Sequence, residues 1–362
     1  MAHPGLTAAR RLADELLIPA AERVDAQGVP PGHVTALKAA RLLGLSAPVE
    51  HGGGGASAVV GREVTEVLSG ACGATWFVAA QHGTPLRTVL ASDNEAVRQR
   101  WLRPLASSQV LAGIAVSHLR RPGPPPVTAT PVDGGWRFDG RVDWVTSWGL
   151  AEVLLLGGVT PTEEVVAVLV PAVNQPGLAA TGELRLAAMS GARNVALRLD
   201  GLHVDAAQTA FRQPRSAWLA NDRLVTANVT PAVFGLLNMI LRRLAEVSRS
   251  RSSAAGADLA AVLAADGAGL RSRAYALLDE VPPESELPER LAIRSAALEL
   301  VNAAAAALIV AGAGASMLTS SPAQRLAREA LFHLVQASTP AMQEAVLGRL
   351  AWRRGAAARP AN

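Results

Sequence analysis

Cysteine, lysine and tyrosine are almost absent from this chain, in which each occurs once among 362 residues. A single cysteine, Cys72, excludes an intramolecular disulfide and a thiolate metal site. Its neighbours are glycine and alanine, a setting typical of a buried apolar side chain rather than a nucleophile. The sequence therefore predicts no metal centre.

Charge is also scarce, since only 18% of the residues are charged while 50% are hydrophobic. This balance excludes an intrinsically disordered chain and predicts a folded protein. The net charge is +4, and the pI of about 10.3 arises because almost all basic residues are arginines, Lys38 being the only lysine. The arginines are scattered and have no aromatic platform beside them, so we expect no nucleic-acid partner.

Targeting and nucleotide signatures are missing as well. Residues Met1–Arg11 contain no apolar leader, so the expectation is a cytoplasmic protein. The most apolar run, Val301–Leu318, is rich in alanine and broken by glycine, which favours a buried bundle helix over a membrane span. The glycines at 52–55 follow no strand and precede no lysine, which excludes a P-loop, and the G-x-G-x-x-G fingerprint of nicotinamide enzymes is absent.

The residue pattern changes twice along the chain. Residues 1–109 have helical periodicity, 110–213 contain short runs of strand formers separated by turns such as Asp133-Gly134-Gly135, and 214–354 again read as helices. Residues 355–362 are predicted to be a disordered tail. The predicted strands lie at 114–116, 136–138, 154–156, 165–170 and 195–199, and the predicted C-terminal helices at 221–249, 257–279, 289–310 and 321–334. No crossover helices separate the strands, which favours a small antiparallel β-domain followed by a four-helix bundle.

The stretch Arg328–Gln343 reads as one helix followed by a break. Leu331, Leu334 and Val335 recur at helical spacing, and Ser338-Thr339-Pro340 then predicts the end of one helix and the start of another. A helix break beside the glycines at 312 and 314 presents backbone N–H groups that suit a carbonyl, a phosphate or a flavin edge. The alternative is an ordinary helix–turn–helix within a bundle.

The same stretch resembles the C-terminal signature of the acyl-CoA dehydrogenases. That family has a G-G-x-G turn, an R-x-x-R-D-A helix and a segment like I-Y-E-G-T-x-x-I-Q. The matching residues here are Gly312, Gly314, Arg325, Arg328, Glu329, Ala330, the run Val335–Thr339, Met342 and Gln343. The resemblance covers most of the chain and implies a multidomain α+β fold: an N-terminal helical domain, a small antiparallel β-domain and a C-terminal four-helix bundle. It also implies an FAD cofactor and a homodimer or homotetramer.

A second match lies in the predicted β-domain, where residues 133–147 resemble the family stretch D-G-G-Y-x-L-N-G-x-K-x-W-I-T-N/S. By this resemblance Trp144, Val145, Thr146 and Ser147 would lie against the flavin. An isoalloxazine needs a flat apolar neighbour, which Trp144 would supply, and hydrogen-bond donors for its heteroatoms, which the Thr146 hydroxyl and nearby backbone N–H groups would supply. The alternative is a core tryptophan and an ordinary strand threonine.

Further cofactor contacts are implied by position. Ser117 stands where the family's T-E-P-G-A-G-S-D loop begins, but two arginines and a proline run replace the rest of that loop, which leaves the substrate class open. Arg251, or Arg249 in its place, is the counterpart of the family's pyrophosphate-binding arginine. Gly312 and Gly314 resemble the family's turn that approaches the neighbouring subunit's FAD. Thr339 belongs to the C-terminal signature and is a further candidate for contact with the cofactor.

This chain departs most clearly from the family at the position of the catalytic base. Most members have a catalytic Glu at the position of Ala337, and the alternative site on the first bundle helix falls near Val225; neither side chain can take a proton. His333 lies one helical turn before Ala337 and is the candidate base, against the alternative of a buried bundle histidine. Glu344, His82 and His118 are weaker candidates.

Three functions follow from these residues. The first is an FAD-dependent oxidoreductase acting on an acyl thioester of CoA or a carrier protein, with a separate electron acceptor. The second is a flavin-dependent monooxygenase of the same fold, which would need a partner flavin reductase and oxygen. The third is a non-catalytic paralogue that serves as a binding or assembly subunit.

Overall fold

The computed structural model describes residues 3–357, with side chains up to residue 351. It separates two compact units, Met1–Leu219 and Ala220–Asn362, each described here by itself. The predicted domain limits at residues 109, 213 and 354 stay predictions. Residues 355–357 of the predicted tail continue the last helix, and 358–362 lie outside the described residues.

The first unit begins with helices. Ser57 caps one of them by accepting a hydrogen bond from the N–H of Val60, and Asn94 caps another through the N–H of Ala96. The helical pattern continues through residues 64–80, but Cys72 adopts an extended backbone and separates two helices there. The helices are α1 (Pro4–Leu12), α2 (Ile18–Gln27), α3 (Pro31–Ala39), α4 (Ala58–Ala71), α5 (Gly73–Ala80), α6 (Gly83–Leu90) and α7 (Glu95–Ala106), with a π-helical turn Ala13–Leu17 between α1 and α2.

An eight-stranded sheet follows within the described residues. Its strands are β1 (Ala112–Ala115), β2 (Val127–Val132), β3 (Gly135–Val145), β4 (Val153–Val159), β5 (Glu164–Pro171), β6 (Leu178–Ala180), β7 (Val195–Asp205) and β8 (Thr209–Pro214). The order is β6-β7-β3-β2-β4-β5-β8, with β1 beside β4. Most pairings are antiparallel, as predicted, whereas β1 and β2 each run parallel to β4. Strands β2, β6 and β8 were not predicted.

The centre of the sheet is buried on both faces. Every residue of β4 is buried, and so are six consecutive residues of β5. This explains why both strands read as continuous runs of valine and leucine rather than as alternating patterns. Their side chains pack with those of α6 and α7 in one apolar cluster that includes Val89, Leu102 and Leu105.

The second unit is helical. It contains the end of α8 (Arg215–Ala227), then α9 (Pro231–Ser250), α10 (Ala254–Glu280), α11 (Leu287–Gly312), α12 (Pro322–Val335) and α13 (Pro340–Ala357). The prediction of one helix over residues 221–249 was wrong. Thr230 caps α9 through the N–H of Ala232, and Pro231, which has no N–H to donate, starts it, so the chain breaks after Ala227.

One apolar core holds the bundle together, with Phe234, Ile240, Val301 and Leu326 among its buried members. In the described part of the chain two helical stretches, Arg215–Ser250 and Leu287–Met317, are long and apolar enough to cross a membrane by length and composition, and 61% and 39% of their most apolar windows are buried. Core helices of soluble proteins meet the same criterion, and both stretches contribute to this core.

Candidate functional site

The end of β3 brings the predicted flavin-contacting residues together. A register shift between Val142 and Val145 interrupts the pairing with β7, and such bulges re-aim side chains. Trp144 is 50% exposed, whereas Val145 and Ser147 are fully buried. Ser147 has a φ of 72°, so the chain turns sharply as it leaves the strand. The result is a half-exposed indole beside the buried residues that follow it.

Thr146 belongs to a buried hydrogen-bond chain. Its hydroxyl donates to Oδ1 of Asn194 at 2.8 Å, and the side-chain amide of Asn194 donates to the carbonyl oxygen of Met189, also at 2.8 Å. The residue Thr146 is only 6% exposed and Asn194 only 3%. Sequence reasoning missed Asn194, because nothing local marks a residue 48 positions away as the partner of a threonine.

Ser117 begins a short 3-10 helix, Ser117–Arg120, and is half-buried. His118 beside it is buried, and its Nε2 lies 3.0 Å from the carbonyl oxygen of Gly157, to which it donates. Burial lowers the pKa of His118 to about 4, so the ring is neutral. In the described part of the chain its Nδ1 has no hydrogen-bond partner. His118 therefore offers a buried, unprotonated ring nitrogen.

The loop after Ser117 is fixed by ion pairs. Arg121 and Arg141 both bind Asp143, at 2.7 Å and 2.6 Å. The hydrogen bonds from Arg141 and Arg121 hold the pKa of Asp143 below its usual range. Arg215 donates to the carbonyl oxygen of Arg121 at 3.0 Å. The arginines that replace the family's acidic loop are thus attached to the strand that carries Trp144.

In the second unit the structure brings together the predicted pyrophosphate arginine and the predicted glycine turn. Arg251 donates to the carbonyl oxygen of Gly312 at 3.1 Å. A Cβ at position 312 would lie 2.0 Å from Oγ of Ser316, whereas one at Gly314 would meet nothing within 4 Å. Packing within the chain therefore explains a glycine at 312 but not at 314. The fallback residue Arg249 donates to the carbonyl oxygen of Ala245, within its own helix.

The corner between α12 and α13 has the predicted break. Thr339 accepts a hydrogen bond from the N–H of Met342 at 3.3 Å, and α13 starts at Pro340. Ala337 is exposed and has a φ of 46°, in the left-handed region that L-residues rarely adopt. Arg294 of α11 donates to the carbonyl oxygen of Gln336 at 2.7 Å and to that of Thr226. The corner is thus attached to two other helices.

His333 points into the bundle. The residue is 2% exposed, and its Nδ1 lies 2.9 Å from Oε1 of Gln336. Burial, and secondarily the charge of Arg294, lowers the pKa of His333 to about 4. These surroundings are those of a bundle histidine. A base role for His333 stays a prediction, and its burial weighs against it.

Known proteins match both the sequence and the fold. Residues 6–109 match the family model of the acyl-CoA dehydrogenase N-terminal domain. The structure superposes on a glutaryl-CoA dehydrogenase from Mycobacterium smegmatis in complex with FADH2, with a TM-score of 0.81 and 16% identity over 96% of this chain and 93% of that one. It also superposes on the dibenzothiophene monooxygenase TdsC from Paenibacillus sp. A11-2, with a TM-score of 0.77 and 21% identity over 95% and 96% of the two chains.

The chain has the acyl-CoA dehydrogenase fold. The predicted fold and the likeness to FAD-dependent enzymes of this family are therefore confirmed. Among curated proteins, a 3-sulfinopropanoyl-CoA desulfinase from Paraburkholderia xenovorans (strain LB400) is 31% identical over 163 residues. That match spans 40% of this chain and 38% of the desulfinase.

Proposed function

We propose that this acyl-CoA dehydrogenase-like protein is an FAD-dependent oxidoreductase that acts on an acyl thioester. The observation that carries the proposal is the end of β3, where a half-exposed Trp144 stands beside the buried hydroxyl of Thr146 at a bulge. An aromatic plane next to a fixed polar atom suits the flat rings and the polar edge of an isoalloxazine. The fold, shared with a protein solved with FADH2, supports the same cofactor.

The residues present fit such a cofactor. In the first unit Trp144 would provide a plane for the ring, Val145 an apolar contact, and the hydroxyls of Thr146, Ser147 and Ser117 polar contacts. In the second unit Arg251, Gly312 and Gly314 would meet the phosphate-bearing part of the neighbouring subunit's FAD, and Thr339 is a further candidate contact. The Arg251 guanidinium suits a pyrophosphate because its planar fork pairs with two oxygens. FAD, when bound, would supply a two-electron acceptor for the reaction, and the chain would bind, orient and shield it.

An acyl thioester is the substrate class that fits best. Two of the matched proteins are named for CoA thioesters, a sulfinopropanoyl and a glutaryl one. Removing an α-proton from such a substrate requires a base, which Ala337 cannot be. We therefore propose that the protein oxidises an acyl thioester without using a carboxylate at position 337. The electrons would pass to a separate acceptor. His333 stays the predicted base.

A flavin-dependent monooxygenase is the second candidate, and Ala337 is the observation that favours it. A reaction that uses reduced flavin and oxygen requires no carboxylate to remove an α-proton. The fold likeness to TdsC is compatible with this reading. A partner reductase would then replace the electron acceptor.

We also propose at least a homodimer in the cytoplasm. Leu331 and Val335 stand one helical turn apart on α12, and they are 55% and 69% exposed. Apolar side chains adjacent on one helix face favour burial against another chain. Light scattering of the purified protein tests this, and a monomer at micromolar concentration would contradict it.

An absorbance spectrum of the purified protein, before and after incubation with FAD, tests the cofactor. We expect a yellow protein whose flavin band shifts on binding, and weaker retention in Trp144→Leu than in Trp136→Leu, a matched change on the same strand. Anaerobic addition of glutaryl-CoA and other acyl-CoA esters should then bleach the band if the first function is correct. A flavin that is reduced only by a reductase and then reacts with oxygen identifies the second. A colourless chain that takes up no FAD contradicts both and indicates a non-catalytic paralogue.

A further inference from the structure

We infer that Asn194 is a positioning residue that fixes the Thr146 hydroxyl as a hydrogen-bond acceptor toward the bound flavin, and so favours the reduced cofactor. This inference rests on the proposed function. It concerns three residues of the first unit, Thr146, Asn194 and Met189, whose hydrogen bonds determine in which direction the threonine's proton points.

The Met189 carbonyl sets the orientation of the Asn194 amide. A carbonyl oxygen can only accept a hydrogen bond, so the atom 2.8 Å from it must be the NH₂ group of Asn194. The opposite orientation would place two acceptor oxygens against each other in a buried site, which costs free energy. Oδ1 of Asn194 must therefore face Thr146.

The Asn194 oxygen in turn sets the polarity of Thr146. An amide oxygen only accepts, and the threonine hydroxyl carries one proton. At a separation of 2.8 Å that proton lies on the line to Oδ1. What the hydroxyl can offer to any other neighbour is its lone pairs. Thr146 therefore acts as an acceptor and not as a donor.

The surrounding loop leaves little freedom to reverse this arrangement. Met189 and Arg193 both have a φ of 57°, which marks a tightly specified backbone. The N–H of Ser147 donates to the carbonyl oxygen of Ala192 at 3.0 Å, which attaches the loop to the residue after Thr146. Asn194 is 3% exposed, so its amide is shielded from solvent.

Acceptor polarity distinguishes the two redox states of a flavin. The central-ring nitrogen N5 of an isoalloxazine is an acceptor when oxidised, and gains a hydrogen when the ring takes up two electrons and a proton. A hydroxyl that can only accept is matched to that N–H and mismatched to the bare nitrogen. Hydrogen bonds to ring nitrogens are an established means of tuning a cofactor. Thr146 facing this nitrogen would raise the reduction potential.

The test is an anaerobic redox titration of the FAD-loaded protein against a reference dye. Asn194→Leu removes the acceptor, so Thr146 becomes free to donate to the oxidised ring. We expect the preference for reduced over oxidised FAD to fall about tenfold, which is about 30 mV for a two-electron couple. Thr146→Val should lower the potential as well, and Asn194→Leu should then add nothing in the Thr146→Val background.

Ser190→Ala is the matched control. Ser190 donates to the carbonyl oxygen of Leu186 at 2.7 Å, so this change loosens the same loop without touching Thr146, and the potential should stay at the wild-type value. Equal shifts in Ser190→Ala and Asn194→Leu, or an additive effect of Asn194→Leu on Thr146→Val, would overturn the inference. So would an unchanged potential in Asn194→Leu with FAD bound, an outcome that leaves the proposed function intact. A chain that takes up no FAD overturns both.

Discussion

Arg251 donates a hydrogen bond to the carbonyl oxygen of Gly312 at 3.1 Å. The two residues are 61 positions apart, and the resemblance to acyl-CoA dehydrogenases had assigned each of them separately to the cofactor. Their contact places a guanidinium with further free donor capacity beside a turn that begins with Ala313 at a φ of 53°. A planar cation at a turn of this kind is suited to a phosphate group.

Replacing this cation should weaken cofactor retention. We expect Arg251→Gln to raise the dissociation constant for FAD about tenfold or more, because a charge-assisted hydrogen bond contributes about 1.5–3 kcal/mol. Fluorescence titration of apoprotein with FAD measures this. Arg249→Gln, at the exposed fallback position, should bind like the wild type; if it is the weaker of the two, the assignment belongs to Arg249.

His82 should make the fold acid-sensitive. Its Nε2 donates to the carbonyl oxygen of Leu105 and its Nδ1 accepts from the N–H of Ala112, both at 3.1 Å, so a second proton would oppose that N–H. Burial lowers the pKa of His82 from 6.5 to about 4. Because the folded value lies below the unfolded one, stability is complete above pH 6.5 and declines as the pH falls toward 4, by up to about 3 kcal/mol.

Urea unfolding at pH 7.5 and at pH 5 measures this dependence. The His82→Gln variant should have a lower free energy of unfolding than the wild type at pH 7.5. Between pH 7.5 and pH 5, that free energy should fall less in the variant than in the wild type. His203→Gln, on the exposed side of β7, serves as the control. An identical pH dependence in wild type and His82→Gln would show that another group causes the acid sensitivity.

Two arginine–glutamate pairs with the same spacing should differ in their effect on stability. Arg325 and Glu329 are 2.8 Å apart with side chains 5% and 6% exposed, whereas Arg242 and Glu246 are 3.1 Å apart and 64% and 33% exposed. Glu329→Gln removes the negative charge of a buried pair and should lower the free energy of unfolding by about 3 kcal/mol. Glu246→Gln should change it by less than about 1 kcal/mol. Equal effects in chemical denaturation would contradict the role of burial.

Ala337 offers a gain-of-function test. Its side chain is exposed, so a longer side chain there does not replace a buried one. If this is the position of the family's base, Ala337→Glu should speed anaerobic flavin reduction by an acyl-CoA ester at least tenfold, since general base catalysis contributes about 10²–10⁴. Ala337→Gln introduces a side chain of the same shape that cannot act as a base, so it should not speed flavin reduction. Stopped-flow absorbance compares them, and equal rates would exclude position 337 as a base site.

The sequence was most informative where local chemistry decides the structure. Thr339 and Pro340 together predict the break before α13, because one caps a helix and the other suits its first turn. Runs of strand formers predicted β3 over residues 136–138, and uninterrupted runs predicted β4 and β5.

What could not be predicted depends on contacts distant in sequence. Asn194 takes its role from Thr146 and Met189, which fold against it, and its sequence neighbours give no sign of that role. The burial of His333 follows from the rotation of α12 in the bundle, which periodicity fixes too coarsely to separate a site from a core. The break before Pro231 was missed because the apolar pattern continues on both sides of it.

The hydrogen bonds of Arg294 have a mechanical consequence. One guanidinium holds the last turn of α8 at Thr226 and the corner between α12 and α13 at Gln336, both from α11. Swinging that corner outward would break the hydrogen bond between a buried guanidinium and the Gln336 carbonyl oxygen, which costs free energy. Arg294 therefore resists an outward movement of the segment around Ala337.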